Sequence, residues 1–163
     1  MKSTTLLLSG ALAALLALPA PVQAVDPVRN GALATPANRI VGLWTTEGAV
    51  RPCGSGLPTS TIRNTLLFNA GGTVIENPRS PPGGDRTLAI GTWSFDPVSG
   101  VHSLHLRFDW YAAGVYGGYQ TVDRQMIISN DGLQITGEVV STRHAANGAV
   151  LVALCGTAIS DRI

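Results

Sequence analysis

Three histidines, two cysteines and one serine set between glycines are the residues from which this chain could build a reactive centre. Their spacing argues against one. His102 and His105 are three apart in an extended run, so their side chains leave opposite faces and cannot share a metal ion. His144 stands far from both in sequence. His105 lies on a polar face with Ser103, Arg107 and Asp109, and Arg107 falls opposite Asp123 if Val115 centres the intervening loop. Such a row reads as a solvated cross-strand ladder of charges rather than an acid–base pair. Cys53-Gly54-Ser55-Gly56 lacks the G-x-S-x-G pattern of a nucleophile elbow, and no helix follows it. Gly83-Gly84-Asp85 and the trio Gly114, Gly117 and Gly118 sit at loop tips, without the strand-to-helix context that cradles phosphate. No catalytic residue, metal ligand set or cofactor is expected.

The elements that must carry these residues are strands. From Arg39 onward, short runs rich in β-branched and aromatic residues alternate with Gly, Pro, Asn and Asp clusters, the rhythm of a sandwich or barrel. Eight runs are counted: 40–48, 62–70, 73–77, 86–96, 101–111, 118–129, 133–143 and 149–159. Gly71-Gly72, Ser99-Gly100, Asp131-Gly132 and Asn147-Gly148 suit two-residue hairpin loops. With Ser99-Gly100 as the turn, Phe95 faces Leu104, Trp93 faces Leu106, Gly91 faces Phe108 and Ala89 faces Trp110. Asp131-Gly132 sets Ile128 opposite Ile135, Met126 opposite Gly137 and Arg124 opposite Val139, while Gly71-Gly72 sets Phe68 opposite Ile75. The fold class expected is all-β, an eight-stranded antiparallel up-and-down β-barrel.

These registers give an apolar inner face of Phe68, Ile75, Trp93, Phe95, Leu104, Leu106, Phe108, Trp110, Val122, Met126, Ile128, Ile135 and Val139. Gly91, Gly137 and Gly156 interrupt it and leave room for a cavity. Arg124 is the odd member, pointing inward between Val122 and Met126. A buried guanidinium needs an anionic or hydrogen-bonding partner. It either meets the polar head of an apolar ligand, pairs with an internal carboxylate such as Glu76 or Glu138, or snorkels to the barrel mouth. On the first alternative the candidate ligand-binding residues are Arg124, Trp93, Phe108, Trp110 and Met126; on the other, the aromatic set is simply core.

Residues 1–24 read as a secretory signal peptide. Lys2 supplies the positive charge, Leu6 to Leu18 is almost wholly apolar, and Val22-Gln23-Ala24 offers a small-x-small cleavage site. The apolar run is shorter than the ~20 residues of a spanning helix, and no second one follows, so no membrane span is expected after cleavage. Residues 25–38 read as a flexible leader and 39–163 as the barrel domain. Lys2 is the only lysine, and its loss leaves ten arginines against ten acidic residues. Near-zero net charge argues against nucleic acid or an anionic membrane surface as the main partner. Export to periplasm or medium permits a disulfide. Cys53 and Cys155 lack the paired spacing of a zinc site, and their simplest fate is one bond that makes the first and last strands neighbours. Closing a loop of that length is worth roughly 4–5 kcal/mol in the chain-entropy model.

Gly42-Leu43-Trp44 opening the first strand, seven further antiparallel strands and the cysteine pair resemble a lipocalin or another calycin-type barrel. The chain is also similar to secreted bacterial proteins of uncharacterised role that share a G-x-W, an early cysteine, an F-N-A-G-G-T hairpin and a late C-G-T-A. The lipocalin resemblance implies a barrel whose interior binds a small apolar or amphipathic ligand. Two departures stand against it: no T-D-Y-type motif follows the sixth strand, and Asp161-Arg162-Ile163 leaves no room for a terminal helix. A protein partner is the alternative, as in a periplasmic protease-inhibitor barrel that uses its N-terminal segment. A barrel isomerase or cyclase is the third reading.

Overall fold

The computed structural model describes residues 35–57, 60–79 and 86–163. The signal segment and the leader up to residue 34 lie outside the described residues. A 3-10 helix, Pro36–Ile40, precedes eight strands: β1 Gly42–Pro52, β2 Ser60–Phe68, β3 Thr73–Pro78, β4 Ala89–Asp96, β5 Val101–Ala112, β6 Val115–Ile128, β7 Gln134–Ala145 and β8 Val150–Arg162. Each pairs antiparallel with its neighbours in sequence, and β8 returns to β1, closing the barrel. Closure leaves no strand edge unpaired, which removes the liability of an open sheet. Cys53 and Cys155 are bonded. The bond fastens the turn just past β1 to the outer wall of β8, beside the seam where Arg51 faces Cys155.

Turn chemistry decides the registers. Around Asp131-Gly132 the pairs Ile128–Ile135, Met126–Gly137 and Arg124–Val139 form as the two-residue loop dictates. Around Asn147-Gly148, Arg143 pairs with Val152 and Val139 with Gly156, again the register of a two-residue loop, with a bulge at His144. Two other hairpins differ. The Asp96 carboxylate accepts from Val98 N and Ser99 Oγ, and Gly100 N donates to Asp96 O, so the loop spans Pro97–Gly100. Trp93 therefore faces Leu104, and Phe95 faces His102, a shift of two residues that keeps every side chain on its face. In the β2–β3 hairpin Asn69 N donates to Thr73 O, and Gly71 and Gly72 both adopt positive φ. Phe68 then faces Val74 rather than Ile75. A one-residue shift inverts the strand: Val74, Glu76 and Pro78 turn inward, and Ile75 faces out.

The β5–β6 turn centres on Ala113 and Gly114, both at positive φ, not on Val115. Arg107 consequently faces Thr121, and His105 faces Asp123. The glycines of the inner face also have a different role from the one expected. A Cβ on Gly91 would collide with His105 O, on Gly137 with Gln125 O, and on Gly156 with Ala49 O. They permit neighbouring strands to approach at the corners of a small barrel, and none of them lines the cavity.

One half of the interior is solid. Ile40, Trp44, Leu66, Phe68, Val74, Trp93, Leu104, Met126 and Ile135 pack together there. The 3-10 helix stoppers that end. Ile40 is fully buried, and its carbonyl accepts from Trp44 Nε1 at 2.8 Å. Arg162 lies over the Trp44 ring, 4.2 Å from its centroid, and donates to the carbonyls of Arg39, Val41 and Gly132. Arg39 in turn donates to Ser129 O and Asn130 O. His102 Nε2 lies 3.1 Å from Ala37 O, which makes it the donor. The last residues assigned to the leader, Pro36–Asn38, are thus part of this stopper.

Candidate functional site

The other half of the barrel is hollow. A cavity of about 350 Å³ lies toward the end that carries the β1–β2, β3–β4, β5–β6 and β7–β8 connections. Sites for small organic molecules are commonly of this size, from roughly 300 to 1,000 Å³. Its walls are apolar: Val50 from β1, Ile62 from β2, Leu106 and Phe108 from β5, Val122 from β6, Val139 from β7, and Leu154 and Ala158 from β8. Strand alternation places them, since every second residue of a closed barrel faces the interior.

Against these walls stands a set of charges. Arg124 leaves β6 inward and is 4 % exposed. Its Nη1 and Nη2 make only long contacts, 3.4 Å to Ser160 Oγ and 3.4 Å to Ala158 O. Its Nε meets no acceptor among the described residues. Burial pushes the guanidinium pKa down to about 10, and the field of Glu76 opposes that fall. Glu76 forms no ion-pair contact with Arg124, however. Its carboxylate is held by Arg86, whose Nη2 lies 3.0 Å from Oε1, and by Asn64 Nδ2, which donates to the same oxygen at 2.8 Å. The Arg86 contact is poorly aligned for a hydrogen bond, and Arg86 Nε has no partner among the described residues. Arg86 reaches in from the isolated bridge that it makes with Trp110, and its Cζ lies over the Phe108 ring, 3.7 Å from the centroid. Among the described residues, the inner part of the cavity therefore holds the guanidinium groups of Arg124 and Arg86 and the carboxylate of Glu76.

Nearer the mouth, Trp110 is fixed by a directed chain of hydrogen bonds. Trp110 Nε1 donates to Gln120 Oε1 at 2.9 Å, Gln120 Nε2 donates to Ser141 Oγ, and Ser141 Oγ donates to Thr121 O at 3.0 Å. The guanidinium of Arg143 covers the indole, 4.7 Å from its centroid. A chain in which each donor has its acceptor holds the ring without trapping an unsatisfied group.

The residues expected at a ligand site divide between the two halves. Arg124, Phe108 and Trp110 line the cavity together. Trp93 and Met126 belong to the packed half, with Trp93 edge-on to Phe68 and Met126 fully buried. Glu138 is exposed, and the internal carboxylate is Glu76. Glu76, Arg86, Asn64 and Gln120 complete the site. Asn64 and Gln120 follow by alternation from Phe68 and Arg124 on their own strands, whereas the inward direction of Glu76 depends on the one-residue shift in the β2–β3 hairpin. His105 hydrogen-bonds Asp123 at 2.7 Å on the outer wall, remote from the interior. Neither known family models nor curated proteins give a match to this chain.

Proposed function

We propose that this chain is a lipocalin-like carrier whose hollow half binds a small amphipathic molecule, its apolar body against the walls and its anionic head at Arg124. The observation that carries this reading is Arg124 itself. A guanidinium almost wholly removed from water, with long contacts and one unfilled donor, costs stability unless something compensates it. A carboxylate would take up the free N–H groups in short charge-assisted bonds. The apolar walls would remove the rest of the ligand from water at roughly 25 cal/mol per Å². The bonded cysteines fit an oxidising compartment, in keeping with an exported carrier. The stopper formed by Pro36–Ile40 weighs against the alternative in which the leader inserts into a protease, because its final residues are occupied on the barrel itself.

Native mass spectrometry of protein purified from its own host tests the proposal. A co-purifying small anion, released on denaturation and lost from Arg124→Ala, is the expected result. If nothing co-purifies, and Arg124→Ala leaves the affinity for an anionic apolar dye unchanged, the carrier reading fails.

A further inference from the structure

The charges inside the cavity differ in number as well as sign. Among the described residues, the buried Arg124 and the nearly buried Arg86 supply two cations and the buried Glu76 one anion, all three lining the same space. Glu76 is not needed to satisfy Arg124, since it pairs instead with Arg86 and Asn64. Its effect on an incoming anion is repulsive, and it acts where water screens little. Discrimination built from a like charge, beside an attractive one, is how a site rejects the wrong partner.

We infer that Glu76 is the specificity residue of this site: with Arg86 and Arg124 it leaves one uncompensated positive charge, which admits an amphiphile bearing a single negative charge and rejects neutral and doubly charged analogues. The inference rests on the carrier reading above. One carboxylate or sulfonate neutralises the cluster. A phosphate monoester, whose second ionisation lies near pH 6, brings a second negative charge against Glu76. An alcohol offers Arg124 a hydrogen-bond acceptor but no countercharge. The other arginines of the lining, Arg63, Arg79 and Arg143, are exposed, Arg63 being paired with Glu47; they stand where solvent reaches and discriminate less.

The test is a set of probes that share one tail: decanoate, decyl sulfonate, decyl phosphate and decanol, titrated at pH 8. Trp110, the only one of the three tryptophans that lines the cavity among the described residues, provides a fluorescence signal beside calorimetry. The folded protein should bind both monoanions at least about tenfold more tightly than the phosphate or the alcohol. Glu76→Gln should lower the decanoate-to-phosphate preference by about tenfold or more. The double variant Glu76→Gln with Arg86→Met removes one charge of each sign and should restore it, which keeps the test decisive if the single variant folds poorly. An unchanged preference in Glu76→Gln, or no restoration in the double variant, overturns the role of Glu76 while leaving the carrier reading in place. If no probe of any head binds the wild-type barrel, both fall.

Discussion

Replacing Arg124 by Met should make the empty barrel more stable. Burial lowers the guanidinium pKa to about 10 in the fold, with desolvation as the main cause. At about 1.4 kcal/mol per pH unit, that fall corresponds to roughly 3 kcal/mol by which the folded interior disfavours the charge. Methionine has a similar length and no charge to desolvate. It joins apolar neighbours in Val122, Val139 and Ala158, and Ser160 Oγ keeps its bond to Thr46. Replacement of buried charges by apolar side chains stabilises other proteins by about 1–4 kcal/mol, and a gain of about 1–3 kcal/mol is expected here. For a barrel of this size that raises Tm by roughly 3–10 °C. Urea titration at pH 7 should show a higher midpoint with an unchanged slope, and decanoate affinity should fall by at least about tenfold. The sign of the pH dependence provides a second check. As pH rises through about 10 and above, the folded guanidinium loses its proton while the unfolded one keeps it. Wild-type stability should therefore rise relative to the variant through that window. A variant less stable than wild type at pH 7 by 1 kcal/mol or more (~1.4 kcal/mol being a tenfold change in the folding equilibrium) would refute the reasoning, since Arg124 would then be a structural strut and not a charge held for a ligand.

Other perturbations have equally definite outcomes. Gly137→Val should abolish folding or lower stability by about 3 kcal/mol or more, read by circular dichroism, because its Cβ would strike Gln125 O. Replacing both Cys53 and Cys155 by Ser should lower the unfolding free energy by at most about 4–5 kcal/mol; the loss should fall short of that ceiling, and the barrel should persist, because β1 and β8 remain paired along their seam. His102 is buried against Phe95 and Trp93, and burial holds its pKa below the ordinary 6.5. The unfolded chain thus takes up a proton first as pH falls below that value, and stability should decline with acidification. His102→Phe should flatten this slope in urea titrations at pH 7 and pH 5.

The strands, their antiparallel order and the closure by Cys53–Cys155 were legible in the sequence because each follows from local patterning. Alternation marks the faces, and Asp131-Gly132 and Asn147-Gly148 are turns whose own residues set the register. What was not legible came from competition inside the loops. At Asp96 a side chain captures the backbone and lengthens the loop by two, and the pairs move without harm because parity is kept. At Asn69–Thr73 the loop gains one residue, parity is lost, and β3 turns over. That single residue brings Glu76 into the cavity and moves Ile75 to the surface, so the internal carboxylate could be guessed from composition but not placed. Arg124 was placed correctly because its register derives from the unambiguous Asp131-Gly132 turn. Trp93 and Met126 share its face, and alternation cannot tell the packed half of a barrel from the hollow half. The difference is made by Ile40, which a segment without strand periodicity brings in to fill one end against Trp44 of β1.

The most direct measurement of the central claim is a crystal structure of the barrel grown with decanoate. One molecule should lie inside the cavity, its carboxylate on the Nη and Nε groups of Arg124 and its chain running past Val139 and Leu106 toward Trp110. A cavity without decanoate at saturating concentration, or a chain that enters tail first with its carboxylate at the mouth, would contradict that claim.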